Sequence, residues 1–117
     1  RRDIDGVLLQ TGKFSSVAPD MLREIGDRAK EKAGQPTVVV LVDVGEDESC
    51  KIVVMADVDA VRRGAHAGSL VKEASALLGG RGGGRPNTAQ GGGRNAAKLT
   101  EALARVEALL RTQLELQ

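Results

Sequence analysis

Eight of the 15 glycines in this 117-residue chain fall between Gly79 and Gly93, and three arginines (Arg81, Arg85 and Arg94) stand among or beside them. No acidic residue interrupts the stretch from Gly79 to Asn95. This segment limits the fold more than any other. Glycine adopts positive φ without a steric penalty and lets another molecule approach backbone amides closely. Arginine supplies a planar, always charged fork that suits phosphate. The segment is therefore expected as a flexible, cationic hinge between the last two helices, able to cradle a polyanion. A plain linker would be the bland alternative. Against it, Arg85-Pro86-Asn87-Thr88-Ala89-Gln90 breaks the glycine run. The single helix beyond the run must also return to the same core to bury its apolar stripe.

The net charge of +1 conceals a split. From Arg62 to Lys98 there are seven basic residues and one acid, Glu73, so that window carries +6 and the remainder −5. Such asymmetry points to an anion-binding face on an otherwise acidic body. Aromatic residues are reduced to Phe14, which argues against recognition by stacking unpaired bases. One cysteine, Cys50, and one histidine, His66, make neither an internal disulfide nor an ordinary zinc site. Cys50 is expected as a small buried residue in a reducing compartment. No apolar run approaches the roughly 18 residues of a membrane span. The opening Arg1-Arg2-Asp3, without an initiator Met, reads as a cut from a longer chain.

Periodicity gives the order of elements. Asp5–Thr11 reads as a short strand and Lys13–Ala18 as a loop in which Ser15 and Ser16 offer helix caps. Pro19 suits a first helical turn, Leu22, Ile25 and Ala29 recur at helical spacing, and Gly34 is a natural stop. Thr37–Val44 is a nearly unbroken β-branched run, the composition of a central strand covered on both faces. The acidic turn 45–49 leads to a second apolar strand, Cys50–Ala56, in a hairpin. After a polar link, Asp57–Gly64, a helix is expected over Ala67–Leu78, and a short extended piece around Pro86–Gln90. Leu99, Leu103, Val106, Leu110 and Leu114 mark a final amphipathic helix over most of 95–116, with Asn95 as its N-cap. The sequence thus predicts one α/β domain over residues 1–117, a small mixed sheet with packed helices in the order β-α-β-β-α-β-α. The first crossover makes its two strands parallel.

Gly91-Gly92-Gly93 lead into that last helix, whose first turn presents unpaired amides, with Arg94 and Lys98 beside it. No Gly-Lys-Ser/Thr follows as a nucleoside triphosphate loop needs, and the glycines miss the dinucleotide fingerprint. Catalysis finds little footing. Asp57 and Asp59 lack a histidine or cysteine cluster. His66 reads as a surface or capping histidine, because a general base needs a positioned partner. Ser15, Ser16 and Ser75 have no activating neighbours.

The run Gly79–Gly93, with Leu70-Val71-Lys72-Glu73-Ala74 before it and Lys98-Leu99-Thr100-Glu101-Ala102-Leu103 after it, resembles the signature near the C-terminus of bacterial alanyl-tRNA synthetases. The likeness spans the chain from Asp5 to the last helix. The usual form of the signature has Asp-Met where this chain has Asn87-Thr88. The resemblance implies the globular part of the C-terminal domain, related to the DHH-associated domain of phosphoesterases. It implies a cytoplasmic enzyme that joins alanine to tRNA(Ala) with ATP, and a separate editing domain. Neither catalytic centre would lie in this segment. No cofactor is expected here, ATP and zinc belonging to other domains of the synthetase chain. The segment's implied role is to bind the outer corner of tRNA, where the D- and T-loops meet, as a monomer and without a membrane. The residues that would make contact are Arg81, Gly82, Gly83, Gly84, Arg85, Asn87, Gln90, Gly92, Gly93, Arg94 and Lys98.

Two other functions compete. An accessory domain of a DHH phosphoesterase would carry a phosphate-holding histidine after the glycine triplet. Here Pro86-Asn87-Thr88 follow Gly84-Arg85, and that role is not inherited. A structural or dimerisation module would send the leucines of the last helix into a partner instead of into this domain's core.

Overall fold

The computed structural model describes residues 2–115. Asp5 and Gly6 have φ of 51° and 87°, the successive positive values of a two-residue type I′ turn. They fold Arg2–Ile4 (β1) antiparallel onto Val7–Phe14 (β2). The single strand expected over Asp5–Thr11 is thus the second arm of a hairpin, shifted towards Phe14. It runs that far because its ladder with the next strand continues to Asp43. Neither serine caps the following helix. Ser15 Oγ donates to the Val44 carbonyl at 3.2 Å, and the N-cap position falls on Ala18, with no side-chain cap bond. The helix Pro19–Ala33 (α1) opens on Pro19 and closes on Gly34 at φ 67°. Thr37–Val44 (β3) then lies parallel to β2, and Cys50–Ala56 (β4) pairs antiparallel with β3.

The expected polar link contains a short helix, Val58–Arg62 (α2), capped by Asp57, whose Oδ1 accepts from the Ala60 amide at 2.8 Å. His66 caps Ala67–Leu77 (α3): its Nδ1 accepts from the Ser69 amide at 3.0 Å. The glycine segment is not a loop. Arg81–Gly84 (β5) and Thr88–Gly93 (β6) form an antiparallel hairpin, and β6 pairs antiparallel with β4 along its whole length. Asn95 makes no side-chain cap. Its amide donates to the Leu78 carbonyl, and a 3₁₀ turn, Ala96–Lys98, precedes Leu99–Glu115 (α4). Leu116, expected in this helix, lies outside the described residues.

The six strands form one mixed sheet in the order β1-β2-β3-β4-β6-β5. On one face Leu22 of α1 joins Val39, Leu41, Val53 and Met55 in a small core, with Ile25 and Ala29 packed at its margin. On the other face α3 and α4 bury the larger core. It includes Val38, Val40, Ile52 and Val54 from the strands, Leu70, Val71, Ala74 and Leu78 from α3, and Leu99, Val106 and Leu110 from α4. The last helix therefore returns to this chain's own core, with Leu103 and Leu114 partly buried against it. Arg2 fastens the β1 edge to α4 through Glu107 at 2.9 Å.

An isolated strand gains nothing from glycine. These strands carry it because α3 rests directly on them. A Cβ at Gly82 would lie 2.6 Å from Val71 Cγ1 and 2.7 Å from Ser75 Oγ. One at Gly91 would strike Ser75 Oγ and stand 2.6 Å from Gly82 Cα. Gly83 differs: a Cβ there would meet nothing within 4 Å. Overpacking of this kind costs about 1–3 kcal/mol, so Gly82→Ala and Gly91→Ala are each expected to lower stability by that amount in urea melts. Gly83→Ala is expected to hold or raise it, by up to about 1 kcal/mol, since alanine orders more cheaply than glycine. A Gly91→Ala chain as stable as wild type would mean that α3 does not rest on these strands. At the other end of α3, His66→Ala is expected to cost about 0.5–2 kcal/mol, the range for a lost N-cap, with His66→Asn recovering most of it.

Candidate nucleic-acid interface

Partners in an antiparallel ladder share a face of the sheet. Ile52, Gly91 and Gly82 are one such row, and they lie beneath α3. The alternate rows face the α1 side: Lys51 with Gly92 and Arg81, then Val53 with Gln90 and Gly83, then Met55 with Thr88. Helix α1 packs over β3 and β4, and beyond it the α1-side face of the glycine hairpin stays open. Two hollows lie along this face. One, of about 280 Å³, is lined by Pro19, Leu22, Lys51, Val53 and Gln90 among others. The second, of about 300 Å³, is lined by Arg23, Gly83, Arg85, Thr88 and Gln90 among others. Gln90 lines both.

The hairpin is held rigidly for a surface made of glycine. The amides of Ala67 and Gly68 at the start of α3 donate to the carbonyls of Pro86 and Arg85 at 2.8 and 3.0 Å. The Gly80 amide donates to the Ser75 carbonyl at 2.9 Å, and the Ala56 amide to the Asn87 carbonyl at 2.9 Å. Both ends of the hairpin are thus tied to the body of the fold.

Arg81, Arg85, Gln90 and Lys51 are exposed, and none of the three cations makes an ion pair among the described residues. Asp43 stands opposite Lys51 in the ladder. Its carboxylate is buried and accepts from the Val17 amide at 2.8 Å. Arg81, at the sheet edge, also lines a hollow with Lys72 and Ala76 of α3, so the cationic surface continues around the β5 edge. Arg23 reaches across from α1 and donates to Gln90 Oε1 at 3.0 Å while pairing with Asp20.

Not all the residues expected at an interface meet here. Gly82 faces α3, and Cβ atoms at Gly92 and Gly93 would strike the carbonyls of Cys50 and Leu78. These glycines answer to packing. Arg94 is exposed at the opposite end of β6 from Arg85, near the turn between β3 and β4. The carboxyl of Asp47 in that turn is held below its ordinary value, chiefly by hydrogen bonds from the Ser49 side chain and amide and least by the charge of Arg94. Lys98 pairs with Glu101 at 3.3 Å. The Ala96 amide donates to the Glu48 carbonyl, so the turn leading into α4 is not an array of free amides waiting for phosphate. Asn87 borders a hollow that also holds Asp27, Glu31 and Asp57, and the cationic face ends there. Conversely, Arg23 and Lys51 belong to the open face and lay outside the glycine signature. A signal for Lys51 existed: it is the one charged residue in an otherwise apolar strand.

Nothing near the hairpin suggests catalysis. No group of three or more His, Cys, Asp or Glu placed to hold a metal occurs among the described residues. Cys50 is buried, and burial pushes its thiol up, away from the reactive thiolate. Among the described residues, no helix is long and apolar enough to cross a membrane.

Known proteins share this geometry. The chain is 39% identical over 113 residues to the alanine–tRNA ligase of Clostridioides difficile, which covers 97% of this chain and 13% of that protein. It is 52% identical over 95 residues to the enzyme of Alkaliphilus oremlandii, covering 81% of this chain and 11% of that one. The chain therefore spans about an eighth of the curated relatives it matches. Among solved structures, the C-Ala domain of Aquifex aeolicus alanyl-tRNA synthetase superposes with a TM-score of 0.78 at 28% identity, over 88% of this chain and 90% of that one. A DHH-domain member of the s1p family of ribosomal proteins, at 22% identity and TM-score 0.58, shares the fold alone. The family model of the DHHA1 domain matches residues 7–112, and the chain belongs to the DHHA1 domain family.

Proposed function

We propose that this chain is the tRNA-binding C-terminal part of an alanine–tRNA ligase. It would hold the folded outer corner of tRNA(Ala) while cytoplasmic aminoacylation and editing proceed in other domains, which would supply the ATP and zinc sites. The observation that carries this reading is the open α1-side face of the glycine hairpin. There Arg81, Arg85 and Lys51 stand exposed and without carboxylate partners among the described residues. Gly83 supports it further, because no neighbour in this fold requires a glycine at that position. A strand with neither side chain nor steric obstruction is where a polynucleotide backbone can come closest. With one aromatic residue in the chain, recognition would rest on the shape of folded RNA, its phosphates and its hydroxyls. Leu99, Val106 and Leu110 lie in the core, which favours a monomer over dimerisation through α4. The phosphoesterase reading gains nothing from a fold likeness at 22% identity.

The test is the binding of an alanine-accepting tRNA transcript across a potassium chloride series. The logarithm of the affinity is expected to fall with log salt at a slope of about 0.7–0.9 per phosphate neutralised. Arg81→Ala with Arg85→Ala is expected to reduce that slope by about 1 per cation, with an unchanged circular dichroism spectrum. Arg94→Ala reports separately on the far end of the hairpin. Affinity indifferent to salt would sink the proposal. Gly83→Ala is expected to weaken binding roughly tenfold, about the worth of one hydrogen bond to a charged group, in a chain no less stable than wild type.

A further inference from the structure

Arginine has only donors to offer. Since Arg23 Nη1 lies 3.0 Å from the Gln90 side chain, the atom it meets must be the carboxamide oxygen, and both N–H donors of Gln90 remain available. Arg23 is fixed in turn by Asp20, three residues earlier on α1. An exposed glutamine is thereby held in one arrangement before any ligand arrives, and ordering such a side chain otherwise costs up to about 2 kcal/mol. Gln90 also shares its ladder row with Gly83, over which space is open. Cations flank that row: Arg81 and Lys51 on one side, Arg85 at the turn on the other. Phosphate contacts position a nucleic acid, whereas neutral donors discriminate among acceptors.

We infer that Gln90 is the specificity-determining contact of this face. Its carboxamide, positioned by the Asp20–Arg23 pair, donates to an uncharged acceptor of the bound RNA while the flanking cations hold phosphates. The inference rests on the RNA-binding reading above. The acceptor is a ribose 2′-hydroxyl or a base edge, which present the same lone-pair chemistry to an amide donor. Arg23 acts through Gln90 and is a positioning residue; its own charge is already matched by Asp20.

The experiment measures affinity and salt slope for wild type, Gln90→Met, Arg23→Met and the double variant, using the tRNA transcript and a DNA oligonucleotide of the same sequence. Methionine keeps the length of either side chain approximately and removes its donors without adding charge. Gln90→Met is expected to bind the transcript about tenfold more weakly, the lower end of the range for a specific contact, with an unchanged salt slope. Arg23→Met is expected to show a similar loss, with less than a twofold further effect once residue 90 is methionine. If Gln90→Met abolishes the preference for RNA over DNA, the acceptor is the 2′-hydroxyl; if both ligands weaken equally, it is a base edge. Wild-type affinity in Gln90→Met would overturn the inference and leave the RNA-binding reading standing. So would full additivity of the two substitutions, as far as Arg23 is concerned. A wild-type chain without salt-dependent binding would overturn both. Urea melts of each variant exclude unfolding as the cause.

Discussion

Everything distinctive in this fold depends on a helix lying directly on two strands whose positions facing it are glycine, apart from the small Ala89. Where Gly82 and Gly91 face α3, the hydrogens that a Cβ would replace point at Ser75 Oγ. That hydroxyl is buried and has no hydrogen-bond partner among the described residues. Because α3 sits so low, its first amides reach the carbonyls of the β5–β6 turn and its last carbonyls reach the amides of Gly80 and Asn95. Both ends of the hairpin are pinned by main-chain bonds. A pair of glycine strands, which alone would be poorly ordered, becomes a fixed shelf at the edge of the sheet. Most of its lower face is covered by α3, apart from a hollow at the β5 edge beside Lys72 and Ala76, and its upper face is open.

The sequence revealed the elements with regular periods and concealed those set by tertiary contact. Pro19 and Gly34 bracketed α1, and the β-branched run of β3 had its ends at Thr37 and Val44. The first hairpin turns on Asp5-Gly6, a local turn signal that lies inside the strand expected over Asp5–Thr11. Of the glycine hairpin, the extended piece expected around Pro86–Gln90 overlaps β6, but β5 and the pairing were illegible for a deeper reason. Strand propensity is read from side chains that pack on a pleated surface, and six of the ten residues of this strand pair are glycine. Its pairing is visible only once β4 offers an unpaired edge and α3 a low roof. The candidate site was legible in its residue types: Arg81, Arg85, Gln90 and Gly83 share the open surface. What could not be read was the division of the glycines into two faces, or that Arg23, some 67 residues before Gln90, would meet it.

The charge split acquires a shape in three dimensions. The basic window predicted a local cationic surface, but its charges do not converge on one point. Lys98, at the end of the 3₁₀ turn, is paired with Glu101 in the first turn of α4, and Arg94 lies near the acidic turn that holds Asp47. Arg81 and Arg85 are spaced along β5 and its turn, so they suit an extended polyanion better than a single phosphate group. Helix α1 contributes Asp20 beside Arg23 at one end of the face, and Asp27 and Glu31 near Asn87 at the other. Asp20 and Asp27 are paired with Arg23 and Lys30, so Glu31 and Asp57 are the carboxylates at that margin that would repel a polyanion bound as proposed.

That boundary gives a physical reading of position 87, where the resembling synthetase signature carries aspartate. The Asn87 carbonyl accepts from the Ala56 amide, so the backbone there is tied to β4 whichever side chain it bears. The side chain borders Asp27, Glu31 and Asp57. Lys30 also lines that hollow and pairs with Asp27 at 3.5 Å, so three carboxylates stand against one ammonium, and a further carboxylate there would still meet a net repulsion. The neutral carboxamide removes that repulsion without altering the strand, and it leaves the cations of the face one less competing anion at the turn. Asparagine at this position thus changes the electrostatics at the margin of the shelf and leaves its geometry alone. The glycine positions behave in the opposite way: Gly82 and Gly91 set the geometry and carry no charge. Of the glycines in the signature, Gly83 is the one whose absent side chain no packing contact and no positive φ explains, and the close approach of a ligand, as proposed above, would supply a physical reason for it.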